Sequence, residues 1–333
     1  MEERYSRQVI LPQFGLEGQE KLSKSRVAII GCGALGSVVA NTLARAGVGY
    51  IAIIDRDFVE LNNLQCQILF DEADVGRPKA IAACEKLKRI NSSITLEPVV
   101  KDVNHTNIES LIRDVDLVLD GTDNFHTRFV VNDACVKHGI PWIYAAAIGT
   151  SGLLMPILPD GPCLRCLFPS PPPAGALPTC DIAGVLSTAP LVVAGWESTD
   201  AIQLLLGKAK ESRLVMIDVW EQTFSTLEVE KAAECVCCGK REFEFLNAEK
   251  EEIITSLCGR NAIQITPATP GQISLPELAT KLSPLGEVEQ TEYILVFRTD
   301  GKEISVFADG RAIIKGTDDA KLARSLYARY IGA

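Results

Sequence analysis

The chain has 333 residues, of which 47% are hydrophobic and 23% charged, and this balance excludes a disordered, collagen-like or coiled-coil protein. Lys and Arg total 33 against 43 Asp and Glu, and the net charge of −10 argues against sequence-independent nucleic-acid binding, which needs a cationic surface. No apolar stretch reaches the roughly 20 residues that span a bilayer. The first five residues lack a signal pattern, so we expect no membrane association and a cytoplasmic location.

At about 150 residues per domain, this length predicts two domains. Buried strands alternate with helices in the first part of the chain. The strands are predicted at residues 26–30, 50–54, 117–119 and from 142, and the helices after the first strand to residue 46 and at 78–90 and 128–138. The alternation predicts an α/β fold with a Rossmann-like, mostly parallel sheet and helices on both faces.

The second half of the chain changes character twice. Residues 156–178 contain eight of the 17 prolines and predict an exposed, irregular loop, followed by a helix near 190–206. Beyond residue 246 the sequence predicts two helices and, between them, hairpin turns at Asp300-Gly301 and Asp309-Gly310. We therefore expect one domain over residues 1–245 and a small α+β module over residues 246–333.

A glycine-rich loop, Gly31-Cys32-Gly33-Ala34-Leu35-Gly36, joins the first strand to a helix. Glycines let the backbone approach a phosphate closely, and the helix N-terminus offers N–H groups to it. Asp55 ends the second strand 19 residues after Gly36, where the acid that accepts ribose hydroxyls belongs. The pattern predicts nucleotide binding through Gly31, Gly33, Ala34, Gly36 and Asp55, without separating ATP from NAD.

Two C-x-x-C pairs stand out among the 11 cysteines, Cys163 with Cys166 and Cys235 with Cys238. Each pair places two thiolates on a tight turn, and two such turns close a tetrahedral zinc site with no open position. We therefore predict structural zinc that ties two distant segments together. Cys237 is an alternative to Cys238 as the fourth ligand.

Taken together, these features resemble the MoeB/ThiF family, bacterial relatives of the ubiquitin-activating enzymes, over residues 1–245. Besides the glycine loop, Asp55 and both cysteine pairs, the resemblance rests on Tyr5-Ser6-Arg7-Gln8, Asn63-Leu64-Gln65, Gly76-Arg77-Pro78-Lys79, and Thr122-Asp123-Asn124 with Arg128 and Asn132. The segment from Ser256 to the end resembles the extra module of longer family members.

The resemblance implies ATP-dependent adenylation of the C-terminal glycine of a ubiquitin-like sulfur-carrier protein ending in Gly-Gly. Such carriers are of the ThiS or MoaD kind and serve thiamine or molybdopterin biosynthesis. Attack of a carboxylate on an anionic phosphate needs cations rather than proton transfer. Lys79 is expected to hold the phosphates and Asp123 a magnesium ion. The plainer alternatives are an ordinary surface lysine for Lys79 and a helix N-cap for Asp123.

The resemblance also implies roles for residues outside this centre. Arg7 is expected to reach the ATP of the partner subunit, which makes a homodimer part of the mechanism. Cys180 matches the cysteine that in some relatives bonds covalently to the carrier or its sulfur. The remaining nucleotide contacts that we expect are Asp57, Asn63, Gln65, Asn124 and Arg128.

One residue departs from the family pattern. Cys66 stands where the family usually has an arginine that contacts the phosphates, and Arg56, Arg77 or Arg128 are candidates to replace it. Two other functions fit part of the sequence: an NAD-dependent oxidoreductase, and a nucleotide-binding scaffold whose catalysis the change at Cys66 has weakened. ATP–pyrophosphate exchange separates them, because only the adenylating enzyme performs it.

Overall fold

A computed structural model of the chain describes residues 3–172, 183–208, 211–247, 253–257, 261–267 and 273–332, with side chains throughout except at 253–257. The chain divides into two compact units, Met1–Ala248 and Glu249–Ala333. None of the helices in these described ranges is long and apolar enough to cross a membrane.

The first unit is built on an eight-stranded sheet in the order β3-β2-β1-β4-β5-β6-β7-β8. Its strands are β1 Arg26–Ile30, β2 Tyr50–Ile54, β3 Thr95–Val99, β4 Leu117–Asp120, β5 Trp142–Ile148, β6 Ser151–Ile157, β7 Arg213–Asp218 and β8 Thr223–Glu228. The first five run parallel and the last three antiparallel. The predicted mostly parallel sheet is confirmed, and the antiparallel extension was not predicted.

Helices connect these strands and cover the sheet. They are α1 Ser6–Val9, α2 Gly15–Lys24, α3 Gly36–Ala46, α4 Lys79–Ile90, α5 Ile108–Leu111, α6 Phe125–His138, α7 Leu164–Leu167 and α8 Thr188–Leu205, with short 3-10 turns at Glu3–Tyr5, Leu61–Asn63 and Glu72–Asp74. The helix α3 ends at Gly47 (φ 88°), whose left-handed backbone closes the helix without a side-chain penalty.

Alternate residues of β1 point into different hydrophobic layers. Val27 and Ile29 pack in the layer that contains the buried side chains of α3, α4 and α8. Ala28 and Ile30 pack in the layer that contains those of α5 and α6. A strand that is apolar on both sides needs cover on both sides, so the predicted arrangement of helices on both faces is confirmed.

The prediction of an irregular, exposed segment over residues 156–178 is wrong at 156–157 and 164–167, which are regular, while residues 158–163 and 168–172 are irregular as predicted. Pro156 belongs to β6, and it lies beyond the last β6–β7 pair, Leu154 with Val215, so its missing N–H costs no hydrogen bond with β7. The helix α7 follows, and Cys163, at its N-terminus, is buried. Residues 173–182, and Cys180 with them, lie outside the described residues.

The second unit is an antiparallel sheet in the order β11-β12-β13-β14-β10-β9 with two helices. The elements are β9 Ile253–Leu257, β10 Ala262–Thr266, α9 Leu275–Leu282, β11 Glu287–Gln290, β12 Ile294–Thr299, β13 Lys302–Phe307, β14 Ala312–Lys315 and α10 Ala320–Tyr330. Ser274 caps α9, and Asp300-Gly301 turns β12 into β13, as the sequence predicted. The unit has a hydrophobic core of its own, which confirms the α+β module.

Candidate nucleotide site and metal centre

The glycine loop follows β1 at the carboxyl edge of the parallel strands, beside the end of β4. Gly31 has φ 90°, and a Cβ on it would lie 2.5 Å from the carbonyl oxygen of Gly121. A Cβ on Gly36 would collide with the carbonyl oxygen of Gly31. The packing of the chain itself therefore requires these two glycines.

Gly33 differs from its two neighbours in the motif. A Cβ on Gly33 would meet nothing closer than 3.9 Å, so the protein has room for a side chain there. The loop thus leaves an open space in front of Gly33, at the start of α3, where a phosphate can approach the backbone. The predicted cradle fits a nucleotide phosphate.

Asp55 fastens this loop to the end of β2. Its carboxylate accepts hydrogen bonds of 2.6 Å from the backbone N–H groups of Cys32 and Asp57. Burial raises the pKa of Asp55, and the nearby charge of Lys79 opposes this rise. The carboxylate therefore shapes the loop, while its predicted contact with a ribose stays a prediction.

Lys79 begins α4, and its side chain is only 7% exposed. Burial alone would lower the pKa of Lys79, but the charges of Asp55, Asp57 and Asp123 outweigh burial and raise it. Among the described residues, no carboxylate oxygen lies within 4.0 Å of its Nζ. The ammonium is therefore charged, held among three acids and not consumed by an ion pair, so it is not an ordinary surface lysine.

Asp123 follows β4 and is not the N-cap of α6, which was the alternative role that the sequence allowed. The N-cap of α6 is Asn124, whose Oδ1 accepts a hydrogen bond of 2.8 Å from the backbone N–H of Thr127. With Asp55 and Asp57 near Lys79 as well, carboxylate oxygens gather here, and these are the ligands that Mg²⁺ prefers. The structure thus places Asp55, Asp57 and Asp123 within electrostatic reach of one lysine, and the magnesium role expected for Asp123 stays a prediction.

Arg128 of α6 is engaged by the protein. Its Nε lies 2.8 Å from Asp120, its Nη2 donates to the carbonyl oxygens of Thr122 (2.7 Å) and Ala145 (3.0 Å), and its guanidinium lies against the rings of Phe125 and Tyr144. This buried arginine holds the loop that carries Asp123. A direct contact of Arg128 or Asn124 with the nucleotide stays a prediction.

The arginines proposed to replace the missing family cation all have carboxylate partners. Arg56 pairs with Asp102 at 2.8 Å, and Arg77 pairs with Glu85 at 2.7 Å. Arg128 pairs with Asp120 as described above. Each guanidinium of this trio has an acid beside it. None of the three is an unpaired replacement for the arginine that the family resemblance leads us to expect at position 66.

Cys66 lies in the segment that follows β2. It is buried, and burial raises its thiol pKa while Lys79 lowers it, so the thiol lies within the electrostatic reach of this ammonium. In the same segment the Asn63 carbonyl accepts from the Cys66 N–H (3.1 Å), and Gln65 is exposed. Asn63 therefore stabilises the turn, and nucleotide contacts of Asn63 and Gln65 stay predictions.

Arg7 lies on an anchored segment away from this centre. The Gln8 Nε2 donates to Gln19 (2.7 Å) and to the carbonyl oxygen of Ala46 (2.8 Å), and Tyr5 Oη accepts from Asn91 (2.8 Å). The Arg7 side chain is exposed. Within the described residues it forms no ion pair.

The four predicted zinc ligands come together. The Sγ atoms of Cys163, Cys166, Cys235 and Cys238 all lie within 4.8 Å of one another, with 3.7 Å between Cys163 and Cys235 and 3.4 Å between Cys166 and Cys238. A tetrahedron of sulfurs about 2.3 Å from zinc has edges of about 3.8 Å. The cluster fits zinc, with no position left for water.

Cys237 stays outside this group. Its Sγ accepts a hydrogen bond of 3.2 Å from Asn132 Nδ2, and Asn132 Oδ1 accepts one of 2.9 Å from the Leu164 N–H. Cys238 therefore completes the cluster. Asn132, one of the residues on which the family resemblance rests, connects α6 to both cysteine turns and not to the nucleotide cradle.

A groove that the sequence did not predict lies beside α8. Trp196 of α8 stacks on Phe224 of β8 with 4.8 Å between ring centroids and 10° between planes. The groove has a volume of 610 Å³, and Gln203, Arg213 and Val215 also line it. Only the unpredicted antiparallel strands place these residues together, since β8 by itself shows no apolar alternation.

A glycine loop with room for phosphates and a charged lysine held among carboxylates define a nucleotide-binding protein of the Rossmann-like α/β class. The family model described as "ThiF family" matches residues 5–237. The chain belongs to the ThiF family.

Relatives with curated names agree with this membership. The chain is 44% identical over 335 residues to "Sulfur carrier protein ThiS adenylyltransferase" of Bacillus subtilis (strain 168), covering 99% of each protein. It is 40% identical over 245 residues to "Sulfur carrier protein adenylyltransferase" of Thermus thermophilus, covering 71% of this chain and 90% of that one. Among solved structures, Escherichia coli MccB with ATP superposes with a TM-score of 0.64 and 25% identity, covering 71% and 74% of the two chains.

Proposed function

We propose that this protein is an ATP-dependent adenylyltransferase that activates the C-terminal glycine of a ubiquitin-like sulfur-carrier protein of the ThiS or MoaD kind, ending in Gly-Gly. The observation that carries the proposal is the charged Lys79 held among Asp55, Asp57 and Asp123 beside the open space at Gly33. The names of the two sulfur-carrier relatives support the same activity.

The reaction joins a carboxylate oxygen of the terminal glycine to the α-phosphorus of ATP. The bond between the α-phosphorus and the bridging oxygen breaks, and pyrophosphate leaves with that electron pair. Both reactants are anions, so the protein must supply positive charge rather than a base. Lys79 supplies it through an ammonium that burial does not deprotonate, because three neighbouring acids keep its pKa raised.

Asp123 and Asp57 are the residues that would hold magnesium, which supplies further neutralisation of the phosphates when bound. The pair Asp120–Arg128 keeps the Asp123 loop in place from the buried side. Asp55 keeps the glycine loop in place through the Cys32 N–H. These residues pre-organise the site before ATP arrives, which is where most catalytic stabilisation of this type originates.

We place the body of the carrier on the groove beside α8. A globular partner needs an apolar area to bind, and the stacked Trp196 and Phe224 offer one on an otherwise acidic protein. The turn from β7 to β8, which carries Trp220 at 70% exposure, lies at the same edge of the sheet as Asp123, because β7 ends opposite the start of β6. A glycine tail without side chains can then run along this edge to the α-phosphate.

We further propose that the protein acts as a homodimer in which Arg7 reaches the nucleotide of the partner subunit. Gln8 anchors α1, and this leaves the Arg7 guanidinium on the surface. Exposed apolar side chains follow it in the sequence, with Ile10 at 73% exposure and Leu16 also exposed. An anchored cation beside an apolar surface suits an interface that completes a second active site.

The adenylation activity is assigned to residues 1–245, since the ThiF family match ends at residue 237. Cys180, if reactive, would act after adenylation by attacking the acyl-adenylate, with AMP as the leaving group. Cys180→Ser would therefore leave the adenylation step intact.

The deciding experiment is ATP–pyrophosphate exchange with purified candidate carriers. We expect exchange only with a carrier ending in Gly-Gly, and its loss in Asp123→Ala and Lys79→Ala. Exchange that survives Asp123→Ala would remove the magnesium role. Exchange with no carrier at all would overturn the proposal, and NAD reduction in its place would favour the oxidoreductase.

A further inference from the structure

The side-chain amide of Gln67, beside the glycine loop, has no hydrogen-bond partner among the described residues. The side chain of Gln67, which follows Cys66, is 7% exposed. Its Oε1 is fully enclosed and accepts no hydrogen bond, and across the described residues its Nε2 donates none. Its main chain, in contrast, is fixed at both ends: the N–H donates to Asn63 (2.9 Å) and the carbonyl accepts from Phe70 (3.1 Å).

The location of this amide is specific. The two atoms that approach the place of a Cβ on Gly33 are the carbonyl oxygen of Gly121 at 3.9 Å and Nε2 of Gln67 at 4.0 Å. The Gln67 amide therefore borders the open space where the glycine loop receives a phosphate. The amide can donate a hydrogen bond into this space from a side chain, as the backbone N–H groups of the glycine loop can from the opposite side.

A buried amide oxygen without a partner, such as Gln67 Oε1, destabilises a folded protein, because it has given up its hydrogen bonds to water. A leucine of similar size would fill the same volume without that cost. Packing thus gives no reason for glutamine at this position. The enclosed Oε1 keeps this cost with or without a ligand, whereas Nε2 is not fully enclosed and faces Gly33, where a phosphate oxygen can accept its N–H.

We propose that Gln67 is a substrate-binding residue of the adenylation site: its Nε2 donates a hydrogen bond to a non-bridging oxygen of the ATP phosphate chain in front of Gly33. This inference rests on the proposed function. Gln67 adds a neutral, directional donor to the diffuse charge of Lys79, and the two act from different segments, α4 and the loop after β2. The donor fixes the phosphate's orientation while the ammonium neutralises it.

The test replaces Gln67 by leucine and measures thermal stability and exchange kinetics on the same preparation. We expect Gln67→Leu to melt at the same temperature as the wild type or higher, while its exchange rate constant falls about 100-fold, the size of a lost transition-state hydrogen-bond donor. Gln264→Leu, a change at a buried glutamine of the second unit, is the control and should leave exchange unchanged. Parallel loss of stability and exchange in Gln67→Leu would mean a structural role and overturn the proposal.

A second variant keeps the test valid if leucine prevents folding. Gln67→Glu retains the size of the side chain, but its carboxylate cannot donate and repels phosphates. We expect weaker ATP binding in Gln67→Glu, seen as a KM for ATP raised at least tenfold at pH 8. Wild-type kinetics in Gln67→Glu would overturn the role of Gln67 and leave the adenylation proposal standing, whereas absence of exchange in the wild type with every carrier would remove the adenylation proposal itself.

Discussion

The backbone N–H of Asp120, at the end of β4, donates a hydrogen bond of 3.1 Å to the carboxylate of Glu197 in α8. Glu197 is completely buried, and its second oxygen, Oε2, accepts no hydrogen bond from the part of the chain that the structure describes. Burial raises the pKa of Glu197 well above its ordinary value, the charges of Asp120 and Asp200 raise it further, and Arg128 opposes them. The fold therefore favours the neutral form of this carboxyl group over the ionised form.

The contribution of Glu197 to stability should therefore fall as pH rises, and Glu197→Gln should remove this contribution. Above the ordinary glutamate pKa of about 4.3 the unfolded chain releases the proton while the folded chain keeps it. Each pH unit in this window then costs up to about 1.4 kcal/mol. We expect the melting temperature of Glu197→Gln to exceed that of the wild type at about pH 8, and this difference to shrink toward about pH 4.

Glu109→Gln provides a control with the opposite sign. Hydrogen bonds from Lys137 and His138 lower the pKa of Glu109, so its contribution to stability is present above the ordinary pKa and lost as pH falls through the lowered one. This variant should be slightly less stable than the wild type at neutral pH and equal to it in acid. If Glu197→Gln follows the Glu109→Gln pattern, Glu197 is ionised in the folded state.

Zinc should be bound at one ion per chain, and Cys163→Ser should lose it together with thermal stability. A metal that joins two distant segments contributes its binding free energy to folding. Elemental analysis of protein purified without added zinc measures this directly. Cys237→Ala is the matched control: its sulfur contacts Asn132 outside the cluster, so zinc content should be retained. Zinc loss in Cys237→Ala equal to that in Cys163→Ser would argue for a different ligand set.

The two kinds of glycine in the loop should respond differently to alanine. Gly36→Ala places a methyl group against the carbonyl oxygen of Gly31 and should prevent folding, whereas Gly33→Ala has space and should fold. We expect Gly33→Ala to weaken ATP binding by the bulk it adds to the phosphate cradle. Circular dichroism and calorimetric titration with ATP separate the two effects, and unchanged ATP affinity in Gly33→Ala would mean that phosphates bind elsewhere.

Cys66→Arg should accelerate exchange. An arginine on a transferring phosphoryl group contributes roughly 10³ to 10⁵ in kcat elsewhere, and the arginines considered as replacements are paired with acids. We expect a higher rate constant more than a tighter KM for ATP, because charge at the reacting centre grows toward the transition state. A lysine at the same position is a useful comparison, since it restores charge without the planar fork. An unchanged rate in both variants would show that the site compensates by other means.

Trp196→Ala should raise the KM for the carrier and leave the KM for ATP unchanged. The substitution removes the stack on Phe224 from the groove without touching the glycine loop. Steady-state exchange with each substrate varied in turn distinguishes the two constants. Leu322→Ala, at an exposed leucine of the second unit, is the control for loss of surface apolar area. Equal effects on both KM values would place the carrier elsewhere.

The parts of the fold that depend on local pattern were predictable. β1, β2 and α3 have the predicted boundaries, because buried apolar runs and a glycine loop are visible within a few residues of sequence. β8 was missed because all six of its residues are exposed and it exists only through pairing with β7. The strand at Pro156 was missed for a related reason. A proline is tolerated in a strand where one neighbouring strand has no residue paired with it, and this pairing is not visible in the sequence.

The site divides in the same way. The four cysteines and Asp55 could be named from residue type and spacing, whereas Lys79, Asp57 and Asp123 were named through the family resemblance. That Arg128 is buried against Asp120, or that Gln67 has no partner, depends on contacts between segments far apart in sequence. Composition and periodicity contain no information about such contacts.

Gly31 and Gly121 meet backbone to backbone, with no side chain between them to absorb a displacement. One belongs to the loop that receives phosphates and the other to the loop that carries Asp123. A movement of the glycine loop toward Gly121 must therefore push on the loop of Asp123, so the two loops are mechanically coupled. A substitution that strains one of these loops should therefore also displace the other.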